Sequence, residues 1–250
     1  MLLSVLLVNY NGKHHLEDCL GTLQAQDFRN FETVMVDNGS SDASVEYVTS
    51  QFPWVRVVQS ERNLGFAGGN NLGLRHCRGD WVFLLNNDTR LDPGALGAIA
   101  EGIRAHPSAR VFQAFMIDFH KPDLVDSAGD TLYTSGVPFN YAGFPVSRFR
   151  EARPITSACG GAAVFERALL ERLGGFDEDF FLIFEDVDLS LRARHLGEEI
   201  VFLPGAKVYH KGSASLGGKR SPMSFYYSER NQLLLLVKNF PLPTLLRTLP

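Results

Sequence analysis

Apolar, β-branched runs recur through the first third of the chain at residues 2–8, 31–36, 55–59 and 81–86. Between them, at 13–26, 42–52 and 69–78, apolar residues return at helical spacing. Strands and helices alternating at this interval predict βαβ units, a parallel sheet and right-handed crossovers. A helix over 94–105 and an apolar run at 110–117 continue the pattern, which then loosens from 120 to 153 into Gly, Pro, Asp and aromatics. An irregular segment of that length inside a compact domain is usually functional or mobile. Regularity returns with a strand at 159–166, a helix at 167–173, the run "FFLIF" at 180–184, a helix at 186–196 and a strand at 199–210. For the C-terminal stretch the favoured reading is a helix packed on the domain with Leu233 to Val237 buried; in-plane membrane contact or a subunit interface is the alternative.

Each early run ends in a polar cluster: "NYNG" (9–12), "DNGSSD" (37–42), "ERNLGFAGGNN" (61–71) and "NNDT" (86–89). In an open α/β sheet, ligands sit beyond the carboxyl ends of the strands, so these clusters should meet on one edge and form a nucleotide site.

Composition narrows the picture. The 250 residues suffice for a large buried core, and 45 % hydrophobic with 21 % charged residues is ordinary for a globular protein. A formal net charge of -4 lacks the basic footprint of a nucleic-acid binder. Three cysteines, odd in number and in no C-x-x-C arrangement, argue against a disulfide framework or zinc site and fit a reducing cytoplasm. The opening apolar run stops at Val8, too short for a leader or a span. The chain ends at Pro250 amid apolar residues, as a piece of a longer protein would.

Asp88, flanked by Asn86 and Asn87 at a strand end, suits Mg²⁺ or Mn²⁺ completed by substrate phosphates; a turn whose Asp bonds the backbone is the plainer reading. Asp37 has the same two readings, a hydrogen-bond acceptor for base or ribose, or part of a turn in which Ser41 or Asp42 caps the next helix. The glycines of 65–69 permit close approach to a ligand and feed a helix start, but the stretch is neither a G-x-G-x-x-G nor a P-loop signature. Glu185, Asp186 and Asp188 follow "FFLIF" directly and need solvent, a cation or a reacting hydroxyl as compensation, unless they merely form an acidic first turn paired with Arg192 and Arg194. His210 and Lys211, with Lys219 and Arg220 around a Gly/Ser loop, could hold a diphosphate.

Taken in order, "VNYNG", "VDNGSSD", "RNLGFAGGNN", "LLNNDT", "SACGGAAVFER" with "GGFDEDFF", "FEDVDLSLRAR" and "VYHKGSAS" resemble the family 2 glycosyltransferases, in particular the bacterial rhamnosyltransferase-like members. The resemblance implies an α/β protein of GT-A fold, with a Rossmann-like, mostly parallel central sheet flanked by helices and a C-terminal helical appendage. It implies one GT-A domain over 1–220, with a nucleotide-binding half (1–105) and an acceptor-binding and catalytic half (106–220), followed by the appendage at 221–250. Asn9, Tyr10, Asp37 and Asn38 match positions that hold the nucleotide, and Asn63, Gly65, Phe66 and Asn70 match the segment that closes over it. Asn87 and Asp88 fall on the family's D-x-D-like element, with Asn86 where an Asp would begin it. Asp88 and His210 are thus the implied metal ligands, for Mg²⁺ or Mn²⁺, with Lys211 on the diphosphate. Gly160 and Gly161 match the sugar and acceptor pocket; in the "ED" pair, Asp186 is the implied base and Glu185 its neighbour or an acceptor-hydroxyl ligand, with Asp188 a cap. The implied activity is inverting transfer from a nucleoside-diphosphate sugar, dTDP-L-rhamnose first and a UDP-sugar second, to a saccharide or lipid-linked acceptor in cell-surface polysaccharide synthesis. A homodimer and peripheral contact with the cytoplasmic face of the membrane are further expectations. A non-catalytic binding module is the competing reading. A nucleotide-sugar pyrophosphorylase would need a basic glycine-rich loop that "VNYNGKHHLED" does not supply.

Overall fold

The computed structural model describes residues 1–132, 138–212, 221–243 and 245. The first third forms β1 (Leu3–Asn9), α1 (Lys13–Gln24), β2 (Phe31–Asp37), α2 (Ser44–Gln51), β3 (Arg56–Gln59), α3 (Gly65–Leu74) and β4 (Trp81–Leu85). These strands lie in the order β3-β2-β1-β4, all parallel. With helices over both faces, β1 and β4 are buried almost throughout, which is why they read as continuous apolar runs and not as alternating ones. In-register pairing sets Asn9 beside Asp37, and Asp37 beside Gln59, so the polar clusters share one edge as the alternation predicts.

The remainder adds β5 (Thr89–Leu91), α4 (Ala95–Ala105), β6 (Val111–Asp118), β7 (Val125–Ser127), β8 (Asp130–Leu132), β9 (Pro138–Asn140), β10 (Arg153–Pro154), β11 (Ala162–Glu166), α5 (Arg167–Leu173), α6 (Glu185–His195), β12 (Ile200–His210) and α7 (Pro222–Asn239). The sheet continues from β4 through β11, β6 and β12 to β10; β11 and β10 run against the other strands of this path. β5 returns antiparallel along β12, pairing Thr89 with His210, and so brings the Asn86–Asp88 loop to the end of β12. The segment 120–153 is not wholly irregular, since β7 pairs with β6 and β8 with β9.

Three expectations need correction. The glycine-rich stretch is helical from Gly65, earlier than the 69–78 pattern predicts. Its Gly69 and Gly73 serve packing: a Cβ would come 2.7 Å from Val8 Cγ1 at the first and 2.3 Å from Leu6 Cδ1 at the second, so α3 lies tight on the sheet. "FFLIF" is no regular element. Phe180 is buried, but Phe181, Ile183 and Phe184 take φ of 63°, 68° and 72°, left-handed values that each cost a non-glycine residue roughly 1–2 kcal/mol. Finally, Leu235 and Leu236 are buried but Leu233 and Val237 are 55 % and 64 % exposed, because five successive residues span more than one helical turn and cannot all face inward.

The strained turn is tied from outside. Asn231, on the inner face of α7 and fully buried, donates its amide to the carbonyls of Phe180, Leu182 and Ile183 at 2.8, 2.8 and 2.7 Å. Asn231→Ala strands these carbonyls, and an expected loss of about 2 kcal/mol should appear as a lower urea midpoint at unchanged slope.

Candidate functional site

Three carboxylates in the first turn of α6 meet three fates. Asp188 is fully buried and neutralised: Arg192 Nε lies 2.8 Å and Lys238 Nζ 3.1 Å away, and Asn239 donates at 2.9 Å. It is a structural anchor between α6 and α7. Asp186, half-buried, accepts from the Gly160 amide at 2.7 Å and from the Val187 amide at 2.8 Å. Burial raises its carboxyl above the usual range, and those backbone donors work against the shift. Glu185 is 6 % exposed and its Oε2 has no hydrogen-bond partner. Burial, reinforced by the Asp186 charge, pushes it well above the ordinary value. Arg194, an expected partner, instead reaches the Ile155 carbonyl at 3.4 Å.

The sheet edge gathers the other expected residues. Asn87 donates to Asn9 Oδ1 at 2.7 Å, and Asn9 donates to Asp37 Oδ1 at 3.3 Å. Asp37 Oδ2 accepts from the Ser40 amide at 3.0 Å, and Asn38 donates to Asn63 Oδ1 and to the Gly65 carbonyl, both at 3.0 Å. Asn70 donates to the Phe66 carbonyl at 2.9 Å. Asn9, Asp37, Asn38 and Asn70 are thus buried and spend their polar atoms on the protein, holding the loops in place; Tyr10 is 43 % exposed. Asp42, and not Ser41, carries the turn before α2, bonding the amides of Lys13 and Ser44 at 2.8 and 3.1 Å.

Asp88 and His210 are brought together: Nε2 lies 3.2 Å from Asp88 Oδ1, and Nδ1 lies 2.8 Å from Asp126 Oδ2. Burial alone would lower the basicity of His210, but hydrogen bonds and charge from Asp126 and Asp88 raise its pKa to about 10. Asp88, which burial would raise, is held below the usual range by the same bond and charge. Lys211 donates its amide to the Asp88 carbonyl at 3.0 Å, while its Nζ is engaged by Asp18 at 2.6 Å. Lys219 and Arg220 of the adjoining loop lie outside the described residues. Gly160 and Gly161 join the two centres, since Gly160 N–H binds Asp186 and the Gly161 carbonyl accepts from the Asn86 amide at 3.0 Å. A Cβ on Gly160 would stand 3.0 Å from the Phe66 ring.

Two acids escaped the sequence reading because they fall in the segment without periodicity. Asp126, on β7, bonds His210. Asp130, opening β8, is 8 % exposed, and its carboxyl has no hydrogen-bond or ion-pair partner among the described residues. Burial, with the Asp186 charge beside it, pushes it up to about 7.

The chain belongs to the family described as Glycosyl transferase family 2, whose profile matches residues 4–174, and it is a glycosyltransferase. It is 26 % identical over 246 residues to the N-acetylglucosaminyl-diphospho-decaprenol L-rhamnosyltransferase of Mycobacterium tuberculosis, covering 89 % of this chain and 80 % of that one. Among solved structures it is similar to S. aureus TarS (TM-score 0.67, 21 % identity), covering 96 % of this chain but only 66 % of the crystallised TarS fragment. It is also similar to the mannosyltransferase of Pyrobaculum calidifontis crystallised with GDP-Man and Mn²⁺ (TM-score 0.64, 18 % identity, 97 % and 76 % covered). The fold is that of the GT-A glycosyltransferases.

A carboxyl whose folded pKa of about 7 exceeds its unfolded value binds more protons folded than unfolded between those limits, so its contribution to stability falls as pH rises through that window. Asp130→Asn should therefore raise the melting temperature more at pH 8 than at pH 5, measured by calorimetry at both.

Proposed function

We propose that this glycosyltransferase moves a sugar, with inversion, from a nucleoside diphosphate to a hydroxyl of a lipid-linked saccharide. dTDP-L-rhamnose is the first candidate donor and a UDP-sugar the second. The observation that carries the reading is the placement of Asp186 on the Gly160 amide and of the Asn86–Asp88 loop, through the Asn86 amide, on the adjoining Gly161 carbonyl, which sets an acidic centre next to one suited to a diphosphate. The mycobacterial relative, named for a rhamnosyl transfer to a decaprenol-linked sugar, and TarS, crystallised with UDP-GlcNAc, support the donor and acceptor classes.

Asp186 is the base. Of two neighbouring buried carboxyls only one ionises readily, and the Gly160 and Val187 amides favour Asp186 over the unpartnered Glu185. As the acceptor oxygen bonds to the anomeric carbon, its proton passes to Asp186 and the nucleoside diphosphate departs with the bonding electron pair. Glu185, kept neutral, is placed to hydrogen-bond an acceptor hydroxyl.

The donor set at Asp88 fits a divalent cation: one carboxylate and one imidazole, oriented from behind by Asp126. Among the described residues no group of three His, Cys, Asp or Glu is placed to hold a metal, so the remaining positions would fall to phosphate oxygens and water. When bound, Mg²⁺ or Mn²⁺ would offset the charge of the leaving diphosphate. The buried amides of Asn9, Asn38, Asn70 and Asn87, with exposed Asn63, hold the loops proposed to receive the nucleotide, and exposed Tyr10 is free to lie against the base.

Among the described residues no helix is long and apolar enough to cross a membrane. α7 nevertheless presents Met223, Tyr226, Leu233 and Val237 on its outer face, which suits in-plane contact beside a lipid-linked acceptor.

Asp186→Asn should lower turnover at least 100-fold while UDP or dTDP binding, followed calorimetrically, is retained; unchanged function would indicate a binding module. Asp88→Ala should remove the gain in nucleotide affinity produced by Mn²⁺. Leu233→Glu with Val237→Glu should reduce co-sedimentation with anionic phospholipid vesicles, and equal sedimentation would refute the membrane role.

A further inference from the structure

β7 is three residues long, Val125–Ser127, and it lies against the end of β6 where the register slips between Met116 and Ile117. Its central residue, Asp126, is partly buried and points its carboxylate at His210 Nδ1, 2.8 Å away. A carboxylate can only accept this bond, so the proton on Nδ1 is committed to Asp126 and Nε2 is the nitrogen turned toward Asp88. Asn86 Nδ2, 3.3 Å from the same Nε2, meets the ring from the neighbouring loop. The direction of the ring is thereby set by a residue of β7, outside the Asn86–Asp88 loop.

We propose that Asp126 is a positioning residue for the donor-side cation: it holds His210 in the orientation in which Nε2 and Asp88 Oδ1 present one shared binding face. The inference rests on the reading of Asp88 and His210 as cation ligands and extends it to a residue in the aperiodic segment. A carboxylate behind a metal-binding histidine fixes its tautomer and raises its basicity, and removing such a group costs about 10- to 100-fold in metal affinity. Asp126 also connects two parts of the site, since β8 begins four residues later at Asp130, which feels the charge of Asp186. One stretch of chain therefore orients the cation ligand and lines the acidic side.

The test uses Mn²⁺ and UDP or dTDP on the intact chain, without turnover. Free Mn²⁺ is counted by electron paramagnetic resonance, and nucleotide affinity is measured by calorimetry with and without Mn²⁺. Asp126→Leu should weaken Mn²⁺ binding about 10- to 100-fold and leave metal-free nucleotide affinity unchanged. Asp126→Asn, whose amide oxygen still accepts the Nδ1 proton, should recover part of the loss, which a merely structural role would not produce. Its melting curve shows whether the fold persists should the leucine variant not fold. Undiminished Mn²⁺ binding in both variants overturns the inference while leaving the cation site standing. A wild-type chain that binds nucleotide but shows no Mn²⁺ effect removes the cation site itself, and the inference falls with it.

Discussion

The first turn of α6 must keep three carboxylates within four residues without three cations to match them, and much of the second half of the molecule answers that constraint. Asp188 takes what cationic charge is near, from Arg192 and Lys238. Asp186 receives backbone amides, and Glu185 receives nothing. Burying all three with salt bridges would have produced a stable helix start with no ionisable group to spare. Leaving two of them without a cationic partner among the described residues costs stability, and perturbed carboxyls of this kind concentrate where chemistry is done.

That cost must be met by rigidity elsewhere. The turn before α6 places three non-glycine residues at positive φ, and it persists because Asn231 ties three of its carbonyls to α7. The same turn reaches back to the edge proposed to bind the nucleotide: the Phe181 carbonyl accepts from the Ala67 amide at 3.1 Å, and a side chain on Gly65 would collide with it. α7 is therefore more than an appendage packed on the surface, since it fixes the turn that sets both the acids of α6 and the start of α3.

Most of the parallel half was legible in the chain because buried parallel strands are written as continuous apolar runs, and their polar ends announce the edge. Asp88, His210 and the Glu185–Asp186 pair were legible as strand-end or helix-start residues. What escaped has specific physical reasons. Nothing in the local sequence of α3 shows that Gly69 and Gly73 are needed for contact with Val8 and Leu6. "FFLIF" has the composition of a strand, and nothing local reveals that a distant asparagine holds it in a left-handed turn. Asp126 and Asp130 lie on strands three residues long, too short to carry a period; the hydrogen-bond partner of Asp126, His210, stands 84 positions away, and the charge that acts on Asp130, Asp186, stands 56 positions away (186 − 130).

The two sides of the site differ in how charge is compensated, and that difference bears on the proposed reaction. On the proposed donor side Asp37 is answered by Asn9 and the Ser40 amide, and Asp88 by His210. An edge treated in this way can receive an anionic diphosphate without first shedding its own negative field. On the proposed acceptor side, among the described residues, Asp130 has no hydrogen-bond or ion-pair partner, Glu185 Oε2 has none, and Asp186 has only amides. A hydroxyl entering there meets an Asp186 carboxylate able to accept its proton, with no ion pair to Asp186 among the described residues. Displacement of a diphosphate by a sugar hydroxyl requires a proton to leave on one side while negative charge grows on the other. Compensating the acids on both sides would stabilise the empty protein further, but it would remove the difference in field that lets the proton and the leaving group separate in opposite directions.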